Sequence, residues 1–442
     1  MLSLALILAS CSSGPDDTVV ETEPPWPEWA FHHWVWEDES TQESAMALVD
    51  GYLERDIPVG AVIIDSPWET GYNTFEWDTE LYPDPQGMID EFHDKGVRVM
   101  LWIVPGINVE ETALYAEAEA AGYFMQKSAT EGAAVVDWWK GQGSLIDLFN
   151  PEALVWWEEL MAPILAMGID GWKCDGLDYS AVIADYSPYL GREVERLEYS
   201  EAYYREFFEH TREVLGDDRI ITARPIDNYG FALGGDLTAF APVDINWAGW
   251  VGDQDPTFEG LVAALDNMYY SSAYGYVAFG SDIGGYRDGD SELGRTKELL
   301  VRWAQLGALN PIMENGGSGS HEPWLFDDET VEIYREFVKL HYKLLPYLMS
   351  EGGKAFAAGE SLMQFESVLT YQFKLGPDLF VAPILAEGGE AIVTFPSDGQ
   401  WVDIFSGQSH AGGSEFTSTW SMETYPVFVR DGSELQVTLS QP

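Results

Sequence analysis

The sequence predicts an α/β protein, a (β/α)8 TIM barrel followed by a small antiparallel β-sandwich domain. Two observations support this prediction. From about Trp29 onward, apolar strand-like runs alternate with amphipathic helical stretches, which is the pattern of a parallel barrel. From about Gly352 the chain changes to short β-rich runs separated by glycine and proline turns. We therefore expect residues 29–350 to form the catalytic barrel and residues 351–442 the C-terminal β domain.

Eight runs in the first part of the chain are the expected barrel strands. They are residues 30–36, 59–65, 97–104, a run that closes at Asp175, 219–223, 243–248, 276–282 and 308–313. Helices are expected between them at residues 44–55, 87–95, 110–121 and 201–215, and a further helix at 331–348. The expected strands of the β domain are residues 369–375, 379–383, 391–395, 401–404 and 425–429.

The charge of the chain excludes some classes of partner. Among 442 residues, 75 are acidic and 22 are lysine or arginine, which gives a formal net charge of −53. Such a surface repels nucleic acid and anionic membranes. Because the acids are spread along the chain, we interpret this acidic protein as one adapted to a salty medium, where screening makes dense negative charge tolerable.

The N-terminal residues predict an export signal. Residues 1–9 are apolar, and residues 8–11 (LASC) resemble the lipobox of bacterial lipoproteins, in which the cysteine is lipidated. We expect residues 1–11 to be a lipoprotein signal, Cys11 the lipidation site, and residues 12–28 a polar linker. The protein would then be exported and lipid-anchored to the bacterial cell envelope. The other cysteine, Cys174, lies within an expected strand, so no disulfide is expected.

Several expected strands end on a charged residue, namely Asp65, Asp175, Arg224 and Asp282. Barrel enzymes keep their chemistry at the carboxyl ends of the strands. An isolated Asp-Gly pair such as Asp175–Gly176 also fits a simple turn cap. Four such residues at the ends of different strands favour an active site on that face of the barrel.

Two of these acids fit the hydrolysis of a glycosidic bond, which needs one ionised and one protonated carboxyl group. Asp175 is the candidate for the ionised group. Lys173, two residues earlier, lies on the same side of the strand, where its ammonium group would favour ionisation and hydrogen-bond a sugar hydroxyl. The alternative for Lys173 is a simple charge partner.

The second carboxyl is expected in residues 247–258, which are rich in aromatic residues and glycine. Trp250 is a candidate for stacking on a sugar, and Asp253 is the candidate general acid. Asp255 competes for that role, and an ordinary aromatic turn is the alternative. The two cysteines and seven histidines show no zinc-like spacing, so no metal site is expected.

An ordered set of motifs resembles glycoside hydrolase family 31. The motifs are 75–78 (FEWD), 81–84 (LYPD), 147–151 (DLFNP), 171–176 (GWKCDG), 250–254 (WVGDQ), 280–286 (GSDIGGY), 302–308 (RWAQLGA), 344–347 (LLPY), 371–376 (YQFKLG) and 381–383 (VAP). The resemblance covers roughly residues 30 to 430 in the family's order.

The resemblance implies Asp175 as nucleophile and Asp253 as acid/base of a retaining α-glycosidase. It implies that Arg224 and Asp282 hold hydroxyls of the bound sugar and that Asp65 lines the same pocket. It implies no metal or organic cofactor. An α-transglycosylase on the same scaffold and a catalytically inactive carbohydrate-binding lipoprotein are the alternatives to an exo-acting glycosidase of oligosaccharides.

The sequence departs from the family pattern at three places. Only a linker precedes Trp29, where family members usually carry a β-sandwich. The 29 positions between Arg224 and Asp253 exceed the usual spacing. After Pro311, residues 312–321 (IMENGGSGSH) replace the segment that carries a sugar-binding histidine in many α-glucosidases. Glu314, Asn315 and His321 are the candidates for that role, and the alternative for His321 is a surface loop.

Overall fold

The computed structural model describes residues 23–176, 186–226 and 239–440. Its strands are β1 (His33–Glu37), β2 (Ala61–Ile64), β3 (Arg98–Ile103), β4 (Gly106–Asn108), β5 (Val136–Trp138), β6 (Gly141–Leu145), β7 (Gly171–Cys174), β8 (Tyr186–Ser187), β9 (Arg192–Glu193), β10 (Ile220–Ala223), β11 (Ala248–Trp250), β12 (Phe279–Gly280), β13 (Met313–Asn315), β14 (Met363–Phe365), β15 (Phe373–Leu375), β16 (Leu379–Val381), β17 (Glu390–Thr394), β18 (Gln400–Asp403), β19 (Ser409–Ala411), β20 (Glu415–Thr419) and β21 (Val427–Arg430).

The α-helices of the described residues follow the strands in alternation through the first part of the chain. They are α1 (Gln42–Glu54), α2 (Pro85–Asp94), α3 (Thr112–Ala121), α4 (Pro151–Leu165), α5 (Arg196–Leu215), α6 (Phe258–Ala273), α7 (Lys297–Gly307), α8 (Asp328–Ala358) and α9 (Glu434–Leu439). None of the helices within these described ranges is long and apolar enough to cross a membrane.

Eight parallel strands form the barrel, in the order β12-β11-β10-β7-β3-β2-β1-β13. A parallel bridge between Asp282 and Glu314 joins the two ends of this sheet. The N–H of Ile283 also donates to the carbonyl oxygen of Glu314 at 3.0 Å. The ring is therefore closed beside two acidic side chains, and the predicted fold class is confirmed.

Two of the eight predicted strands are displaced. Residues 243–245 form a turn, in which the N–H of Asn246 donates to the carbonyl of Pro242 at 3.1 Å, and β11 begins at Ala248. Similarly, Ala308 caps helix α7, and β13 begins at Met313. Both segments contain buried apolar residues, such as Ile245 and Ile312, and burial alone does not distinguish a turn from a strand.

Helix α8 extends ten residues beyond the predicted end at Leu348 and leads into the C-terminal domain. This domain contains a six-stranded antiparallel sheet, β14-β15-β16-β21-β18-β19, and a separate β17–β20 pair. The five predicted strands are present, whereas β14, β19 and β20 were not predicted. Arg302 of α7 fixes the domain to the barrel, since its guanidinium donates to the carbonyl oxygens of Trp420, Ser421 and Thr424 at 2.8, 3.0 and 3.0 Å.

A small antiparallel sheet, β4-β6-β5, is inserted after barrel strand β3. Strands β5 and β6 form a hairpin whose turn is Trp139–Lys140. Gly141, the first residue after the turn, has φ = 123°, a conformation that glycine adopts without strain. Because the insertion follows the carboxyl end of β3, its tip reaches the face of the barrel where the strand-end residues lie.

Candidate active site

A cavity of about 300 Å³ lies at the carboxyl ends of the barrel strands. Its lining residues are Asp38, Asp65, Ser66, Trp102, Trp139, Lys140, Lys173, Asp175, Arg224, Trp250, Asp253 and Tyr286. They come from the ends of six barrel strands, the β5–β6 hairpin and the loop after β12. Six of the eight residues predicted for catalysis and substrate binding are thus brought together at one cavity.

The floor of the cavity is a buried ion pair. Lys173 of β7 is 2% exposed, and its Nζ lies 2.8 Å from Oδ2 of Asp65. The ammonium group also lies 3.4 Å from the ring centroid of Trp36 and 4.4 Å from that of Trp250. Burial raises the pKa of Asp65 to about 6, although the Lys173 charge opposes the rise. The charge partner of Lys173 is therefore Asp65, and not Asp175 as its spacing suggested.

Asp175 sits at the end of β7, where its N–H donates to the carbonyl of Ile103 at 2.9 Å. Its Oδ2 accepts a hydrogen bond from Trp102 Nε1 at 3.2 Å, and its Oδ1 lies 3.3 Å from Arg224 Nε. The next residue, Gly176, has φ = 80°, and a Cβ there would lie 2.1 Å from a methyl group of Val104. Glycine is required at this position for the chain to turn away and leave the carboxylate facing the cavity. Asp178, the next acid along the chain, lies outside the described residues.

One guanidinium group connects the two candidate catalytic acids. Arg224 contacts Asp175 through Nε and donates from Nη2 to Oδ2 of Asp253 at 2.9 Å. It also donates from Nη1 to the carbonyl of Gly252 at 2.6 Å. Asp255, the competitor for the acid role, pairs instead with Arg287 at the surface at 3.2 Å and does not line this cavity. The geometry therefore favours Asp253 over Asp255.

Trp250 lines the cavity, and Asp282 lies behind it. Trp250 is 1% exposed, and its ring lies under Lys173 and under the Arg224 guanidinium carbon, which is 3.8 Å from the centroid. Its Nε1 donates to Oδ1 of Asp282 at 3.1 Å. Asp282 is fully buried and does not line the cavity. Trp250 thus contacts two cations as well as lining the cavity, whereas Asp282 lies outside the cavity lining and contacts Trp250.

Glu314 is a buried carboxyl group beneath the floor. It is fully buried, and the indole of Trp36 faces its carboxyl group as a hydrogen-bond donor, where it opposes the rise in pKa. Burial raises its pKa to about 7, with Asp65 and Asp253 adding to the rise and Lys173 opposing it. Asp282 is affected in the same way, since burial and the charge of Glu314 raise its pKa well above the usual range. One ammonium group therefore faces three carboxyls, so some of them carry protons near neutral pH.

His321 and Asn315, the other candidates after Pro311, have structural partners. His321 is 4% exposed, its Nε2 lies 2.9 Å from Arg295 Nη2, and its Nδ1 lies 3.2 Å from the carbonyl of Ile283. Burial and the Arg295 charge lower its pKa to about 3. Asn315 donates to the hydroxyl of Tyr52 at 2.7 Å. His321 lies outside the cavity lining and is not a surface histidine.

Six of the twelve lining residues were not predicted from the sequence, namely Asp38, Ser66, Trp102, Trp139, Lys140 and Tyr286. Tyr286 donates to Oδ2 of Asp38 at 3.0 Å on one side of the cavity, and burial raises the pKa of Asp38. Asp38 directly follows β1, so the strand-end criterion that identified Asp65 applied to it as well. Trp139 and Lys140 carried no such signal, because they belong to a hairpin inserted between barrel elements.

Other titratable groups lie away from the cavity. The thiol of Cys174 is buried and free, and burial raises its pKa well above the usual range. Ligand atoms of Glu158, Glu206 and His210 come within 4.8 Å of one another between α4 and α5. Within the described ranges, these three side chains are close enough together to bind one metal ion. Cys11 lies outside those ranges.

Comparison with known proteins identifies the family. Residues 23–351 match the model of the glycosyl hydrolases family 31 TIM-barrel domain, and residues 360–435 match that of the glycosyl hydrolase family 31 C-terminal domain. The chain belongs to glycoside hydrolase family 31. The resemblance seen in the ordered motifs is therefore confirmed over both domains.

Several family 31 proteins are similar to this chain over most of its length. α-Xylosidase XylQ of Lactiplantibacillus pentosus is 29% identical over 92% of the chain and 54% of its own length. The isomaltosyltransferase of Sporosarcina globispora is 25% identical over 94% of the chain and 41% of its own length. The chain thus spans about half the length of the curated relatives it matches. The crystal structure of a family 31 α-xylosidase from a soil metagenome, in complex with xylose, shares the fold with a TM-score of 0.79 at 23% identity, covering 95% of this chain and 65% of that one.

Proposed function

We propose that this family 31 protein is an exo-acting retaining α-glycosidase that removes terminal α-linked sugars from oligosaccharides. The proposal rests on one observation: Asp175 and Asp253 both contact the same arginine, Arg224, at the wall of the cavity. Arg224 lies 3.3 Å from the first carboxylate and 2.9 Å from the second. Retaining glycosidases need two carboxyl groups close enough to act on the same anomeric carbon.

In the first step, a carboxylate oxygen of Asp175 attacks the anomeric carbon. The bond from that carbon to the leaving oxygen breaks, and Asp253 gives its proton to that oxygen. In the second step, water attacks the same carbon and gives a proton to Asp253. The glycosyl-ester bond breaks and Asp175 returns to its carboxylate form. The bond that Trp102 Nε1 donates to Asp175 at 3.2 Å holds the carboxylate in its orientation between steps.

The floor of the cavity supports exo action. Lys173 and Asp65 close the cavity below Asp175, and their side chains are 2% and 7% exposed. A chain of sugars cannot continue through this floor, so the terminal residue occupies the cavity and the rest extends towards solvent. The Lys173 ammonium and the Asp65 carboxylate are available there to bind hydroxyl groups of that terminal sugar.

An α-transglycosylase is the second candidate. It is favoured by the similarity to a relative named isomaltosyltransferase. The same glycosyl-aspartate intermediate would form, and a sugar hydroxyl would replace water in the second step. Analysis of the products over a range of acceptor concentrations separates the two activities, since a transglycosylase forms mainly new oligosaccharides even at low acceptor concentration, whereas a hydrolase releases mainly free sugar there.

The cellular location is proposed from the sequence alone. Export and lipid anchoring through Cys11 rest on the apolar start and the LASC segment. Metabolic labelling with radioactive palmitate tests the proposal: the label is incorporated into the wild type and lost in Cys11→Ser. Labelling of both proteins, or of neither, would contradict it.

Kinetics on aryl α-glycosides test the catalytic roles. The panel contains glucose, xylose, galactose, N-acetylgalactosamine and sulfoquinovose, at low and high salt. Asp175→Ala should abolish turnover of the accepted glycoside. Asp253→Ala should lose about 10²- to 10⁴-fold for poor leaving groups and much less for good ones, because good leaving groups need no proton. Asp255→Ala is the matched control and should retain activity. Unchanged kinetics for Asp175→Ala would refute the assignment.

A further inference from the structure

The mouth of the cavity carries a tryptophan that the proposed chemistry does not use. Trp139 is 49% exposed and forms the turn of the β5–β6 hairpin together with Lys140. Both residues line the cavity. A half-exposed aromatic ring offers a broad apolar face that a ligand can cover.

The position of Trp139 is fixed relative to the nucleophile. Its ring packs edge-on against Trp138 and Trp102, with centroids 4.9 and 6.5 Å away. Trp102 is the residue whose Nε1 donates to Asp175. Trp138 stacks parallel to Trp102 at 6.5 Å and donates to Oδ1 of Asn108 at 2.7 Å. The hairpin tip therefore lies on the same aromatic cluster that contacts the nucleophile.

The exposure of the lining residues shows which part of a substrate reaches Trp139. The side chain of Lys173 on the floor is 2% exposed, whereas those of Asp175 and Asp253 are 14% and 22% exposed. Trp139, at 49%, is the most exposed of the lining residues. A terminal sugar held on the buried floor beside the acid pair leaves the group beyond the cleaved bond on the solvent side, which is where the exposed Trp139 is available.

We propose that Trp139 is the binding platform for the leaving-group sugar, a pyranose joined by an α-linkage to the terminal residue. The pyranose packs its C–H face on the indole ring. Lys140, whose Nζ is 3.4 Å from Oε1 of Glu39, lies beside it as a hydrogen-bond donor to hydroxyl groups. The inference rests on the proposed glycosidase function and specifies which residue selects oligosaccharides over simple glycosides.

Substrates that differ only in the leaving group test the platform. α-Glucosyl fluoride is compared with isomaltose, and α-xylosyl fluoride with isoprimeverose, because fluoride leaves without a ring to stack. Covering an aromatic side chain is worth about 1.5–3 kcal/mol, which corresponds to roughly a 10- to 100-fold change. Trp139→Ala should therefore lower kcat/KM at least about 10-fold for the disaccharide and less than about twofold for the fluoride. Trp139→Phe should recover most of the loss.

The matched control is Tyr189→Ala, which removes an exposed aromatic residue that does not line the cavity. It should leave both substrates unchanged, and thermal unfolding should be the same for all three variants. Equal losses for fluoride and disaccharide in Trp139→Ala would overturn the proposal, since Trp139 would then act on the cleaved sugar or on Asp175. No loss for either substrate would also overturn it.

A binding measurement separates this inference from the proposed function. If the wild type turns over neither fluoride, the glycosidase proposal fails for those sugars. Calorimetric titration with isomaltose and with isoprimeverose then tests the platform in the absence of turnover. At least fivefold weaker binding of one disaccharide to Trp139→Ala than to the wild type supports it. Equal binding, or no binding to either protein, overturns it.

Discussion

Replacement of Glu314 by glutamine tests whether the buried carboxyl group under the cavity is protonated in the folded protein. Glutamine has nearly the same shape and is neutral at every pH. Glu314 is fully buried, and burial raises its pKa from 4.5 to about 7 against the opposing effects of Lys173 and Trp36. The folded wild type therefore keeps a proton that the unfolded chain releases, and wild-type stability falls as the pH rises from about 4.5 to about 7.

The size of the effect follows from the shift. At about 1.4 kcal/mol per pH unit, the shift corresponds to a loss on the order of 3 kcal/mol of wild-type stability across this window. The Glu314→Gln variant does not lose this stability, because glutamine has no proton to release at this position. The free energy of unfolding of the variant relative to the wild type should therefore rise by about that amount between pH 4.5 and 8. Below pH 4.5 both states of the wild type are protonated at this position, and the difference should be constant.

Urea unfolding at fixed high ionic strength, at four values between pH 4.5 and 8.5, measures the difference. Glu292→Gln, at an exposed position, is the control and should show no comparable pH dependence. A difference between Glu314→Gln and the wild type that does not change with pH would refute the reasoning. A variant that loses stability relative to the wild type at high pH would also refute it, because the ionised Glu314 would then be stabilised by Lys173.

Two further substitutions test the surroundings of the site. In Gly316→Ala, the new Cβ would lie 2.2–2.3 Å from ring atoms of Trp36, the residue under Lys173, so we expect urea unfolding to show a loss of about 1–3 kcal/mol and kcat/KM to fall. The control is Gly132→Ala, where no atom lies within 4 Å of the new Cβ, and its stability should not change. A Gly316→Ala variant as stable as the wild type would contradict the packing. Arg302→Met leaves the carbonyls of Trp420, Ser421 and Thr424 without the Arg302 donor. We therefore expect calorimetry to show that the free energy of unfolding falls by about 3 kcal/mol, while KM is unchanged. A changed KM at unchanged stability would contradict a purely structural role for Arg302.

The barrel and the placement of three strand-end residues at the cavity could be predicted because their signals are local. Each of Asp65, Asp175 and Arg224 follows an apolar run directly, and parallel strands bring such positions to one face. The displaced strands show the limit of that signal. The segment from Ala308 to Met313 is buried from the C-cap of α7 to the first residue of β13, and an apolar, buried run alone does not reveal where the hydrogen-bonded strand begins.

The partners of the predicted residues depended on packing between distant segments. The place of His321 in the sequence suggests a sugar-binding histidine. In the structure, however, Arg295 Nη2 lies 2.9 Å from His321 Nε2, so the imidazole is paired with the guanidinium group. Lys173 was placed correctly on the side of the strand that faces the cavity, yet its partner Asp65 comes from a strand 108 positions earlier. Trp139 reaches the cavity through an inserted hairpin, for which no spacing rule exists.

Proton NMR of the first-formed product tests the central claim most directly. A synthetic aryl α-glycoside of the accepted sugar is hydrolysed by the wild type, and the anomeric signals are recorded before mutarotation. If Asp175 forms a covalent intermediate and Asp253 acts on both steps, the α-anomer appears first. Initial release of the β-anomer would show inversion and would contradict the role of Asp175 as nucleophile.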